Sequence, residues 1–179
     1  MNGLLLLALI ALALGTAPSL AQSQQPYAGL KGRAIKSLSE QQIADLRAGR
    51  GMGLALAAEL NGYPGPMHVL ELAEPLDLSD QQRAKMQELF TAMKAEAIPL
   101  GERLIAHEAD LDKQFANKTI TPASLAAATD AIGTTHAALR QAHLKYHLST
   151  VEVLTPAQVQ RYAELRGYKT EMPHTRGRH

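Results

Sequence analysis

Seven histidines, at positions 68, 107, 136, 143, 147, 174 and 179, are the residues best suited to chemistry in this chain of 179 residues, which has no cysteine. His143 and His147 spell H-x-x-x-H. On a helix that spacing puts two imidazoles on one face, where they can converge on a single metal ion. At the helical turn per residue, His136 lies within about 40° of both. A hairpin folded about residues 119–120 brings Glu96 near the level of His143, and His107 within a turn of His136. His143, His147 and a carboxylate such as Glu96 would suit Zn, Ni, Co or Cu(II). The plainer alternative is that histidines flanking a helical seam are only solvated or hydrogen-bonded. His107, in the seam itself, fits a structural role. Met67-His68-Val69-Leu70-Glu71 puts another His and Glu on one helix face, a weaker site for a soft or borderline metal.

Enzyme templates fail on specific residues. His107-Glu108 would need a histidine at 111 to make a zincin, and Leu111 stands there. None of the histidines at 107, 136, 143 and 147 has a glutamate three residues before it, as a carboxylate-bridged di-iron bundle requires. Gly49-Arg50-Gly51-Met52-Gly53 has the glycines of a phosphate loop, but no strand precedes it and no G-K-[ST] follows. It reads as a helix interruption or a close-packing point. We expect no catalysis.

The elements that must position these histidines are helical. Ala, Leu, Gln and Glu abound, while aromatics are limited to five Tyr and two Phe. So few large side chains imply a thin core and favour a self-associating hairpin. The formal charge of +1 points to no nucleic-acid partner. Residues 1–21 read as a cleaved signal peptide: Leu4 to Leu14 is purely Leu, Ala and Ile, and Ser19-Leu20-Ala21 offers small residues for cleavage. The expected location is the periplasm, with no membrane span after cleavage. Residues 22–37 read as a flexible leader, 38–168 as the helical domain, and 169–179 as a disordered basic tail.

Three phrases of the form L-[ST]-x-x-Q mark helix starts: Leu38-Ser39-Glu40-Gln41-Gln42, Leu78-Ser79-Asp80-Gln81-Gln82 and Leu154-Thr155-Pro156-Ala157-Gln158. In each, the hydroxyl can accept from a first-turn N–H while the glutamine (Gln42, Gln82 or Gln158) reaches back to the N–H of the cap. The leading leucine can staple the entering chain to the first turn. The first helix should run from Ser39 to about Leu60, with a break at Gly49, Gly51 and Gly53. A short helix opens at Pro66 and ends by Pro75. The second box starts a long helix over about 80–117, whose apolar steps alternate between four and three. Pro99 lies inside it, where a bend is expected. Thr121 and Pro122 start a partner helix that reaches about Val153, with a stripe at Leu125, Ile132, Leu139, Tyr146 and Val153. The third box starts a last helix, closed by Gly167. The fold class is all-α: an elongated helical hairpin with flanking shorter helices.

These boxes, with the export signal and the missing cysteines, resemble the periplasmic Spy/CpxP family, whose hallmark is a repeated LTxxQ motif, and its CnrX- and ZraP-type metal-resistance relatives. The resemblance covers about residues 38 to 168. The boxes at 78–82 and 154–158 match in content and in flanking the long hairpin, whereas the box at 38–42 opens a shorter element. The resemblance implies an interlocked homodimer. It also implies a holdase chaperone for unfolded periplasmic proteins, or a modulator of a membrane stress sensor. The alternative it carries is a heavy-metal sensor or resistance protein that binds Zn, Ni, Co or Cu through helical histidines. Metal-sensing relatives use histidine pairs on an early helix as well as a later one. Here there is no H-x-x-x-H before residue 107, so only His143 and His147 correspond.

Overall fold

The computed structural model describes residues 27–168 and divides the chain into two units, residues 1–31 and 32–179. The expected signal peptide and basic tail lie outside the described residues. Of the first unit, the described part is a single 3₁₀ turn, Ala28–Leu30. The second unit holds six α-helices and no strand among the described residues: α1 Glu40–Arg47, α2 Leu56–Glu59, α3 Pro66–Glu71, α4 Asp80–Ala116, α5 Pro122–Val153 and α6 Pro156–Leu165. The chain is all-α, and α4 and α5 form the long antiparallel hairpin read from the two stripes.

All three L-[ST]-x-x-Q phrases form complete capping boxes. Those of α4 and α6 also grip each other. The Nε2 of Gln82 donates to Gln158 Oε1 at 2.8 Å, and the Nε2 of Gln158 returns a bond to Gln82 Oε1 at 3.1 Å. Each amide has a second donor bond, Gln82 to the Val153 carbonyl at 3.0 Å and Gln158 to that of Leu76 at 3.3 Å. Their leucines, Leu78 and Leu154, are buried with Val69, Leu76, Met86 and Tyr162 in one core. The box at Ser39 works alone. Gln42 bonds back to Ser39 and remains exposed, while Leu38 packs against a second core built on Leu46, Ala97, Leu104, Ile105 and Leu139.

The expected break in the first helix is present. After α1, left-handed backbone at Gly49, Met52 and Gly53 turns the chain before α2 begins. Gly101 in α4 is required by close approach, since a Cβ there would overlap the carbonyl oxygen of Leu46 in α1. Pro99 lies within a continuous α4, where it has no N–H to give to the helix ladder. Residues 32–37, at the end of the expected leader, are packed on α4. Ile35 is buried, the Ser37 hydroxyl donates to Glu108 at 2.6 Å, and Lys36 pairs with Asp112 at 3.4 Å.

Along α4 the two cores are separated by Met93, and along α5 by His143 and His147. The hairpin seam is therefore not uniformly apolar. Where it is interrupted, a cavity opens.

Candidate metal centre

The cavity holds about 480 Å³ and is walled by the glycine loop after α1, by α2, by the start of α3, and by Phe90 and Met93 of α4 opposite His143 and His147 of α5. The sequence reading took Gly49 to Gly53 as an interruption or packing point. It is that, and it is also a wall of the site. Gly51 lies against the His143 ring, where an added Cβ would sit in ordinary contact, 3.6 Å from Nδ1.

His143 is only 2 % exposed, and its Nε2 has no hydrogen-bond partner. A buried polar atom left unpaired costs about 1–3 kcal/mol, so such an atom calls for a reason. Burial, and then the neighbouring His147, hold the His143 imidazole below its usual range. It is accordingly neutral at pH 7, the form that offers a lone pair to a metal. His147, one turn on, is fixed differently. Its Nδ1 lies 2.6 Å from the Tyr63 carbonyl oxygen, an acceptor, so the proton sits on Nδ1 and Nε2 is the lone-pair nitrogen. Gly65 makes room for this ring, because a Cβ there would come within 2.9 Å of its Cε1.

Glu59 of α2, 6 % exposed, is the carboxylate of the cavity. It is heavily engaged. Tyr162 of α6 donates its hydroxyl to Oε1, Tyr168 does so at 3.1 Å, and the Gly65 N–H donates to Oε2 at 3.2 Å. His68 Nδ1 lies 3.4 Å from Oε1, Arg166 Nε 3.8 Å from it, and His147 Nδ1 3.7 Å from Oε2. Burial alone would push this carboxyl up. The hydrogen bonds from His68 and Tyr162, the charge of His68 and the Tyr168 hydroxyl outweigh it and bring the group down to about 2. The Tyr162 hydroxyl moves the opposite way, pushed up first by burial and then by its bond to Glu59.

Of the residues read from the sequence, His143 and His147 come together in the cavity, and His68 joins them on its wall. Glu96 lies at the expected level of the hairpin but is held by other partners. Lys145 donates to it at 2.7 Å and Tyr146 at 2.7 Å, so that burial and this carboxylate push the tyrosine up to about 12. His136 is exposed and His107 half-buried, and neither lines the cavity. Glu59, Tyr162 and Tyr168 were not singled out in the sequence. The one available signal was a lone acidic residue in an otherwise apolar stretch, Leu54 to Leu60. Among the described residues, no three His, Asp or Glu side chains stand together so as to hold a metal ion. The donors that are free as the site stands are the two imidazole nitrogens.

The described residues define a small all-helical hairpin protein with two interlocked capping boxes and a buried histidine pair. The family model described as heavy-metal resistance matches residues 48–161, more than half of the chain, and the protein belongs to that family. The matched span begins at the glycine loop and includes the boxes at 78–82 and 154–158, while the box at 38–42 lies outside it. No curated protein and no solved structure matches the chain. No helix among the described residues is long and apolar enough to cross a membrane.

Proposed function

We propose that this is a non-catalytic periplasmic metal-resistance protein, of sensor or buffer type, that binds a transition-metal ion at His143 and His147. One observation carries the reading: the Nε2 of His143 is buried and unpartnered beside a cavity that also takes in His147. Coordination would satisfy that nitrogen, and a bound ion would add its binding energy to the folded state. Family membership supports metal resistance as the biological setting, and the apolar segment Leu4 to Leu14 supports export. As in the resemblance drawn from the sequence, the working form is a homodimer. The test is metal content and native mass of the freshly purified protein, followed by titration of the chelator-treated protein. His143→Ala with His147→Ala should abolish binding, and unchanged affinity in the double variant would remove this site.

A second reading, a holdase for unfolded proteins, has its own support in the structure. Met52, Leu56, Leu60, Tyr63 and Met67 are large apolar side chains left exposed within one short stretch. Methionine-rich apolar surfaces suit varied clients. If the chelator-treated protein gives an unfolded client no protection from aggregation at a stoichiometric dose, this second reading is lost.

A further inference from the structure

We propose that the cavity is selective for a soft monovalent cation, Cu(I) or Ag(I), held by His143 together with the thioethers of Met52, Met67 and Met93. The proposal rests on the metal-binding reading above and specifies which ions the site takes.

The first observation is where sulfur lies. Four methionines fall in the described residues, and three of them, Met52, Met67 and Met93, line the one cavity that contains the histidine pair. They arrive from three separate elements, the glycine loop, α3 and α4. The fourth, Met86, is packed in the core beside the two interlocked boxes. With no cysteine in the chain, thioethers are its only soft donors, and thioether ligands favour Cu(I) over borderline divalent ions.

The second observation is what the oxygen donors are doing. In a chain without cysteine, a Zn, Ni or Co site can complete its histidine donors only with oxygen ligands, and the carboxylate in this cavity is Glu59. Its oxygens already accept from Tyr162, Tyr168 and the Gly65 N–H. A divalent ion would compete with those bonds for the carboxylate, whereas a soft ion can use His143 Nε2 and sulfur without touching them.

The third observation is backbone strain. Met52 sits in the left-handed region at φ 43°, flanked by glycines. A non-glycine residue is disfavoured there, and strain of that kind tends to persist at functional sites. Here it holds a thioether at the cavity.

The experiment uses the full chain with ¹³C-methyl-labelled methionine and the redox-inert probe Ag(I), set against Zn(II). Ag(I) should shift the methyl signals of Met52, Met67 and Met93 and leave Met86 in place, with single Met→Leu variants assigning the signals. Met52→Leu with Met67→Leu alters two exposed side chains. It should keep the helical circular dichroism and weaken Ag(I) about tenfold or more, as loss of thioether donors implies. Cu(I), tested by competition with a chromophoric chelator, should follow Ag(I). Ag(I) bound with the methyl signals unmoved, Ag(I) affinity unchanged in the double variant, or Zn(II) bound more tightly than Ag(I) would each overturn the proposal while leaving the histidine site standing. If neither ion perturbs the His143 ring signals, the metal reading beneath it fails as well.

Discussion

The two ends of the histidine-bearing half of α5 treat their polar groups in opposite ways. At its C-terminal end, the amides of Gln82 and Gln158 are completely satisfied: each caps its own helix, bonds the other, and donates to a backbone carbonyl. Nearly three turns back, His143 is more deeply buried than either amide and has a nitrogen with no partner. One region is a closed junction, because a network in which every group is paired is rigid and specific. The other leaves a buried nitrogen unpaired, which lowers stability. Glu59 joins them: it lines the cavity while accepting from Tyr162, whose ring lies in the junction's core.

Cutting that link should have the largest effect. Glu59→Gln replaces a buried acceptor of several bonds with a group that presents a misplaced donor, and should cost about 3 kcal/mol in urea unfolding. Acid should act on the same carboxylate. Its folded-state value is brought to about 2 from an ordinary 4.5, so the stabilisation is complete above about pH 4.5 and is lost as pH falls through that window toward 2. In the Gln variant this part of the acid dependence should vanish, and an unaltered profile would mean that Glu59 is not the anchor.

A smaller loss is expected at the junction itself. Gln158→Ala removes a cap and the cross-bonds to Gln82 and Leu76, and should cost about 2 kcal/mol in thermal or urea unfolding. Gln42→Ala at the solitary box loses only local bonds and should cost about 1 kcal/mol. Equal losses at the two glutamines would mean that the interlocking contributes nothing.

The smallest effect should carry the opposite sign. His143→Leu exchanges an unpaired buried nitrogen for an apolar group of similar size, and should stabilise the metal-free protein by about 1 kcal/mol. A clear loss of stability in that variant would show that the histidine is a structural residue after all, and the contrast between the two regions would dissolve.

Much of the fold was legible because its signals are local. The boxes depend on groups three residues apart, the break after α1 on adjacent glycines, and the hairpin on stripes that recur within a single helix. The pairing of His143 with His147 was legible for the same reason. At the tip of the hairpin Leu125 continues the stripe of α5 yet is exposed, since periodicity states which face a residue occupies and not whether anything covers it. Glu96 was placed at about the right level, but its engagement by Lys145 and Tyr146 depends on two side chains of the facing helix.

By itself, then, the sequence determined the helix starts, the histidine pair, and the all-α hairpin with its family resemblance, because each is written in contacts within a few residues of chain. Only the tertiary structure decided that two of the three boxes lock together, that a glycine loop becomes the wall of a cavity, and that Glu59 is bound by a tyrosine 103 residues away. Those outcomes depend on how separate helices cross. Crossing is set by the packing of whole faces, which no spacing along the chain records.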